Sequence, residues 1–394
     1  MNKFCYMPWH GLTITANGDI KPCCQWRGSL GKVSSVNIAS IYNNNKIQNL
    51  RQEFLNGDKP ISCSSCWERE EMIGTSRRMW FTDKFVDPTD KVATYVPTVE
   101  EIKWYQVDVN LSNVCNLKCR MCGSWASNQW FDEELELSKL DKRYLKSNID
   151  HSVIQHDASQ LEDILNNLKY IKRIDFKGGE PMLAKNHVEF LEEIINKGYS
   201  NQITLQYTTN GTVVNPKILE ALSKFKNVRL MFSIEGTGNL YEYIRGGKYT
   251  LTDLDGVIND YNKLPNVNIG FNVTIQAYNL NNLKKLYNFL HELETKYTKV
   301  SASQAFTTIC NSPIYLSPFV LPLELREKAI EELSNINDFT SLLKSLISDD
   351  IHQLHWNTFV SFTNNLDKLR NENVLNIIPE FRKYWDETNS SYRR

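Results

Sequence analysis

The stretch VCNLKCRMCG, residues 114–123, places Cys115, Cys119 and Cys122 within eight residues, and the next cysteine is Cys310. A structural metal site closes its coordination sphere with four protein ligands. Three thiolates on one short loop leave one position open, and an open metal position marks a reactive site that substrate or cofactor can occupy. The spacing suits a loop wrapped around one corner of an iron–sulfur cluster. A zinc site completed by a distant His or Cys is the competing reading.

Around this loop the pattern alternates. Residues 105–113, 172–179, 202–211, 228–236, 267–276 and 299–306 are six strand candidates, with amphipathic helical segments between most of them. Strand–helix alternation over about 200 residues predicts parallel strands with helical crossovers. Six units predict an α/β fold, a partial (β/α)6 TIM-like barrel rather than a full eight-fold one. The three-cysteine loop directly follows the first strand, at the carboxyl end of the sheet, where active sites of such folds lie.

The chain divides into a small cysteine-rich amino-terminal module (1–85), a linker (86–103), the barrel (104–308) and a helical carboxy-terminal extension (309–394). Within the module, GLTITANGDIKP reads as a strand pair turning at Asn17-Gly18. IQNLRQEFLNG reads as a helix ending at Gly57. With 45 basic and 46 acidic residues the formal charge is −1, so net charge offers no footprint for nucleic acid or an anionic membrane. No signal peptide opens the chain and no apolar run is long enough to span a membrane. Nine cysteines without a secretory signal are expected as reduced thiols in a cytoplasm, serving as ligands.

The loop at Cys115, Cys119 and Cys122 resembles the cluster loop of the radical S-adenosylmethionine superfamily. Met121 stands where that family often has an aromatic residue, and it keeps the position apolar. KGGEP, residues 177–181, resembles the family's GGEP motif and follows the second strand. TTNGT (208–212), FSIEG (232–236) and YEYIRGG (241–247) follow in family order. The resemblance covers about residues 104–306. It implies S-adenosylmethionine contacts from Met121, Gly178, Gly179, Glu180, Pro181, Asn210, Ser233 and Arg245. Glu180 offers an acceptor for the ammonium group, and the Arg245 guanidinium suits the carboxylate. Cys5, Gly18, Cys23, Cys63 and Cys66 are spaced as in SPASM and Twitch extensions of the same superfamily, which carry auxiliary clusters. Cys5, Cys23, Cys63 and Cys66 would ligate one further [4Fe–4S] cluster, with Cys24 as an alternative to Cys23. Those extensions usually follow the barrel, whereas here the module precedes it. A small zinc ribbon is the competing reading. Cys310 is expected as a plain buried residue.

The resemblance implies an enzyme in which a reduced cluster cleaves S-adenosylmethionine to methionine and a 5′-deoxyadenosyl radical that abstracts hydrogen from a substrate C–H bond. The protein's part is positioning and dryness, so the absence of an acid–base pair is consistent. An auxiliary cluster could assist an oxidation. A reductant such as flavodoxin or ferredoxin is implied. The substrate is expected to be a peptide or protein, with a small molecule such as a sugar or alcohol as the alternative. A non-catalytic iron–sulfur or zinc protein is the reading from another class, and KGGEP and Arg245 argue against it.

Overall fold

The computed structural model describes residues 3–33, 37–86, 97–144, 152–157, 159–303, 305–347 and 350–385. Most of the expected linker, residues 87–96, lies outside them. The chain forms two compact units interleaved in sequence. The first comprises Met1–Val114, Val153–Thr208 and Asn215–Arg229; the second comprises Cys115–Ser152, Thr209–Val214 and Leu230–Arg394.

In the first unit, strands β1 (Gly11–Ile14) and β2 (Asp19–Lys21) pair antiparallel across the predicted turn, where Gly18 has φ +81°. A two-residue β3 (Gly31–Lys32) lies on the outer edge of β2. The predicted helix runs from Asn45 to Leu55, its start capped by the Asn44 side chain. The amino-terminal strands then join the barrel strands. β1 pairs parallel with β4 (Gln106–Asn110), with Gly11 opposite Gln106 and Ile14 opposite Val109. β4 pairs parallel with β5 (Arg173–Lys177), and β5 with β6 (Thr204–Thr209). The order is β3-β2-β1-β4-β5-β6, followed by the first residues of β7 (Asn227–Ser233).

Period-two alternation gives this sheet two unlike faces. Val107, Val109, Ile174, Phe176, Leu205 and Tyr207 form the apolar face and are fully buried, each contributing roughly 1.5–3 kcal/mol. Gln106, Asp108, Arg173 and Asp175 lie on the other face and are also buried. Parallel strands are ordinarily apolar on both faces, so a charged buried face is a departure that calls for a cause.

In the second unit the remaining residues of β7 adjoin β8 (Val267–Asn272), and β9 (Thr274–Ile275) pairs parallel with β10 (Thr308–Ile309). Among the described residues of the sixth strand candidate, 299–306, pairing is limited to a parallel bridge between Val300 and Ile269 and a bond from Val273 N–H to Ala305 O. Its backbone finds other partners: Ala302 N–H donates to the Glu294 carboxylate and Ser303 N–H to the Ser301 hydroxyl. Such side-chain acceptors compete with a strand ladder. The described residues 159–170 are likewise less helical than their pattern suggests. Only a turn at Ser159–Leu161 and a helix at Glu162–Asn166 form there, and the Asn167 side chain accepts from Trp104 N–H. The carboxy-terminal part is helical as expected, with helices at Leu323–Leu333, Asp350–Arg370 and Val374–Ile377. Trp356, Phe359, Phe381 and Trp385 cluster there, Phe381 stacked on Trp385 and both edge to face with Trp356 and Phe359. Among the described residues, no helix is long and apolar enough to cross a membrane.

Candidate functional site

The three-cysteine loop belongs to the second unit and is pinned along its length. Cys115 N–H donates to Asn128 Oδ1 at 3.0 Å, the Ser127 hydroxyl to Leu117 O at 2.5 Å, and Trp130 Nε1 to Cys119 O at 3.0 Å. Arg120, inside the motif, donates from its backbone to Ile244 O at 2.8 Å and from Nε to Tyr243 O at 2.9 Å. Its guanidinium is fully buried, sits 3.5 Å from the Tyr243 ring centroid and pairs with Asp367 and Glu372. Arg370 adds a second tie, to Glu133 at 2.7 Å and to Lys118 O at 2.7 Å. The loop is therefore tied to the carboxy-terminal part of the same unit by contacts that do not involve its thiols.

Several residues expected to touch a cofactor gather on this loop. Asn210 Nδ2 points at Cys115 Sγ at 3.6 Å and donates to Asn116 Oδ1 at 2.9 Å. Met121 packs against the buried Cys115–Leu117–Cys119 cluster. Ser233 is the last residue of β7. Arg245 ends the helix Asn239–Arg245, which lies tight on the loop: a Cβ on Gly246 would fall 2.4 Å from Lys118 O. Arg245 is buried and donates from Nη1 to Glu235 at 3.0 Å. Hydrogen bonding from Cys122, aided by the Arg245 charge, holds the Cys119 thiol below the ordinary thiol range. The Arg245 Nε and the Tyr241 hydroxyl are buried with no partner among the described residues. Buried donors left unmade are costly. A carboxylate beside them would satisfy these donors, so Arg245 and Tyr241 fit the carboxylate of S-adenosylmethionine.

KGGEP belongs to the first unit, and its glycines have a measurable task. A Cβ on Gly179 would fall 2.1 Å from Val114 O, and one on Gly178 would fall 2.7 Å from Ser112 O. Gly179 N–H donates to Ser112 O at 2.9 Å and Glu180 N–H to Val114 O at 2.7 Å. The close approach is thus to the segment ending immediately before Cys115. Glu180 is buried and accepts from Met182 N–H at 3.1 Å, while Pro181 opens the turn Pro181–Leu183.

Cys5, Cys23, Cys63 and Cys66, from separate stretches of the first unit, line one cavity together with Arg77 and Arg78. Arg78 ties the stretches together, pairing with Glu70 at 2.6 Å and donating to Phe4 O at 2.9 Å. Burial, with Cys66 nearby, pushes the Cys63 thiol up to about 12. Thiols in so dry a pocket ionise only when a metal supplies the countercharge, which is what a cluster or zinc ion does. Cys24 points elsewhere, to Asp108, Lys177 and Arg77. Cys310 is buried, its thiol 3.9 Å from Ser312 O.

Comparison with known proteins gives a Radical SAM superfamily match over residues 109–290 and a match to SPASM, an iron–sulfur cluster-binding domain, over residues 5–67. The chain carries a radical SAM domain preceded by a SPASM domain. These domains imply S-adenosylmethionine and [4Fe–4S] clusters. An uncharacterised protein of Methanocaldococcus jannaschii is 30% identical over 178 residues, 44% of this chain and 53% of that protein. The radical SAM cyclopropyl synthase TigE of Paramaledivibacter caminithermalis is 28% identical over 153 residues, 39% of this chain and 31% of that protein. The matches thus span about half and about a third of these relatives. Among solved structures, anSMEcpe with bound AdoMet aligns at 19% identity over 49% of each chain, with a TM-score of 0.37. Streptococcus suis SuiB bound to S-adenosylmethionine aligns at 14% identity over 62% of this chain and 54% of that one, with a TM-score of 0.36.

The charged face of β4 and β5 is what sequence reading passed over. Its signal was present: QVDVN and RIDFK alternate charged or amide residues with apolar ones, in strands whose parallel pairing would ordinarily make both faces apolar.

Proposed function

We propose that this protein is a radical SAM enzyme acting on a peptide or protein. Cys115, Cys119 and Cys122 would hold the reactive cluster. Arg245, Asn210, Ser233, Met121 and the Gly178–Pro181 turn would hold S-adenosylmethionine. Cys5, Cys23, Cys63 and Cys66 would hold an auxiliary cluster. When bound, these groups supply a 5′-deoxyadenosyl radical for hydrogen abstraction and a neighbouring electron acceptor for oxidation of the substrate. The chain's own part is to fix and shield them. Arg120, Trp130 and Asn128 fix the loop, Arg245 offers a fork to a carboxylate, and Arg77 and Arg78 offset the charge of four thiolates. A one-electron donor such as flavodoxin or ferredoxin completes the proposal.

The observation that carries the reading is the three-cysteine loop, fixed from several sides with one cluster position left unsupplied and with orphaned donors at Arg245 and Tyr241. The test is anaerobic reconstitution followed by reduction with S-adenosylmethionine present. The wild type is expected to form 5′-deoxyadenosine, and the Cys115→Ala/Cys119→Ala/Cys122→Ala variant none. A fully iron-loaded wild type that forms none would refute the reading.

A further inference from the structure

Two arginines adjacent in sequence line the four-cysteine cavity, and their guanidinium groups are committed very differently. Arg77 and Arg78 open the helix Arg77–Phe85, whose start the Ser76 hydroxyl caps by accepting from Met79 N–H. Each lies over a tryptophan ring, Arg77 at 4.6 Å from the Trp80 centroid and Arg78 at 4.7 Å from that of Trp67. Such stacking fixes the plane of a guanidinium and hence the direction of its N–H groups.

In Arg78 every nitrogen has a partner. Nε and Nη2 grip the Glu70 carboxylate at 2.9 and 2.6 Å, and Nη1 donates to Phe4 O at 2.9 Å. Its charge is answered by Glu70, and its bonds tie the helix Ser64–Ile73, which carries Cys66, to the residue before Cys5. Arg77 is committed less fully. Its Nη2 lies 3.4 Å from Asp108 and 3.5 Å from Asp175, both long for charge-assisted bonds. Those carboxylates have cations of their own, Arg173 Nε at 2.5 Å from Asp175 and Lys177 Nζ at 3.4 Å from Asp108. The Arg77 Nε is buried and has no partner among the described residues. A buried donor left unmade is costly. Arg77 thus brings a charge and a donor that the protein does not use to a cavity lined by four sulfurs.

We propose that Arg77 sets the reduction potential of the auxiliary cluster by donating its Nε–H to a cluster sulfur, while Arg78 serves the fold. This rests on the auxiliary-cluster reading above and deepens it. One-electron reduction adds negative charge to a cluster that four thiolates already make anionic. A fixed cation and an N–H donor at its sulfurs favour the reduced form, so Arg77 raises the potential. A higher potential makes the cluster a better acceptor for the electron that an oxidised substrate gives up.

The experiment uses the full chain carrying Cys115→Ala, Cys119→Ala and Cys122→Ala, reconstituted anaerobically, so that the auxiliary cluster alone gives a signal. Its midpoint potential is read by redox titration followed by electron paramagnetic resonance, per cluster bound. Arg77→Met should lower the reduction equilibrium roughly ten-fold, about 59 mV for one electron. Arg77→Lys, which keeps the charge without the fixed fork, should fall between. Arg78→Met should leave the potential in place and reduce iron retention instead. An unchanged potential in Arg77→Met, or equal shifts in Arg77→Met and Arg78→Met, would overturn the proposal. Should Arg77→Met hold no cluster, arginine labelled with the heavy nitrogen isotope gives the answer without it. The reduced cluster's spin-echo modulation should then show a coupling to labelled nitrogen that Arg77→Lys abolishes and Arg78→Lys retains; absence of that coupling would equally overturn the proposal. The failures are distinguishable. No iron in the triple variant would sink the auxiliary-cluster reading and this proposal with it, whereas iron with an unmoved potential would sink Arg77's role alone. Formation of 5′-deoxyadenosine by the chain with its three-cysteine loop intact tests the enzyme reading apart from both.

Discussion

Cys5, Cys23, Cys63 and Cys66 come from distant stretches and converge on a cavity, whereas Cys115, Cys119 and Cys122 share one loop that neighbouring residues hold in place. In the first case the metal would be a strut, because four ligands from separate segments are joined through it. In the second the protein has fixed the ligands in advance, as a site with an exchangeable position requires. The sharpest test of that contrast is iron removal by chelation, followed by hydrogen exchange. Protection around residues 21–33 and 58–77 should fall roughly hundred-fold while residues 115–130 stay protected. Equal loss in both regions would break the comparison. It sharpens at the level of single ligands: Cys23→Ala should lose about four of about eight irons, and Cys24→Ala none.

The pinned loop makes its own demand. Arg120→Met would leave Asp367 and Glu372 facing a gap inside the second unit. Removing one partner of a buried pair costs about 3–5 kcal/mol. Denaturant unfolding should show that loss, and the loop cluster should become more labile to oxygen while the auxiliary iron persists. A smaller effect, roughly 1–3 kcal/mol, is expected for Gly179→Ala, whose new methyl would collide with Val114 O. Because that contact ends one residue before Cys115, its iron loss should again fall on the three-cysteine loop. Loss from the amino-terminal cavity instead would argue against this division of labour.

Local chemistry was legible in the sequence and long-range partnership was not. Cysteine spacing, the Asn17-Gly18 turn and GGEP are short patterns in which residue type alone constrains the backbone or the ligand. The pairing of β1 with β4 joins residues about ninety apart, and nothing in GLTI marks it as a parallel partner of QVDV. The tie from Arg120 to Asp367 spans still more chain, and an arginine inside a cysteine motif looks like any surface cation. Among the described residues of 299–306, the backbone donors of Ala302 and Ser303 turn to Glu294 and Ser301 instead of a neighbouring strand, a competition that alternation does not encode. Cys23 faces the cavity and Cys24 does not, a difference of direction that adjacent positions in sequence cannot give.

The smallest expected effect probes what the preformed loop is for. If Arg245 merely neutralised Glu235, lysine would serve as well, since both side chains carry one charge. If it also presents its unpaired Nε to a cofactor carboxylate, the planar fork matters and lysine cannot replace it. Arg245→Lys should therefore keep the full iron content and the unfolding midpoint near wild type, yet weaken S-adenosylmethionine binding roughly ten-fold. The readout is a titration of the reduced loop cluster's electron paramagnetic resonance signal with S-adenosylmethionine. An unchanged titration would reduce Arg245 to a partner of Glu235 and leave Asn210 and Ser233 as the remaining polar residues proposed to contact the cofactor. A shifted titration with intact iron would show that the site was built around a ligand the cysteines alone do not hold.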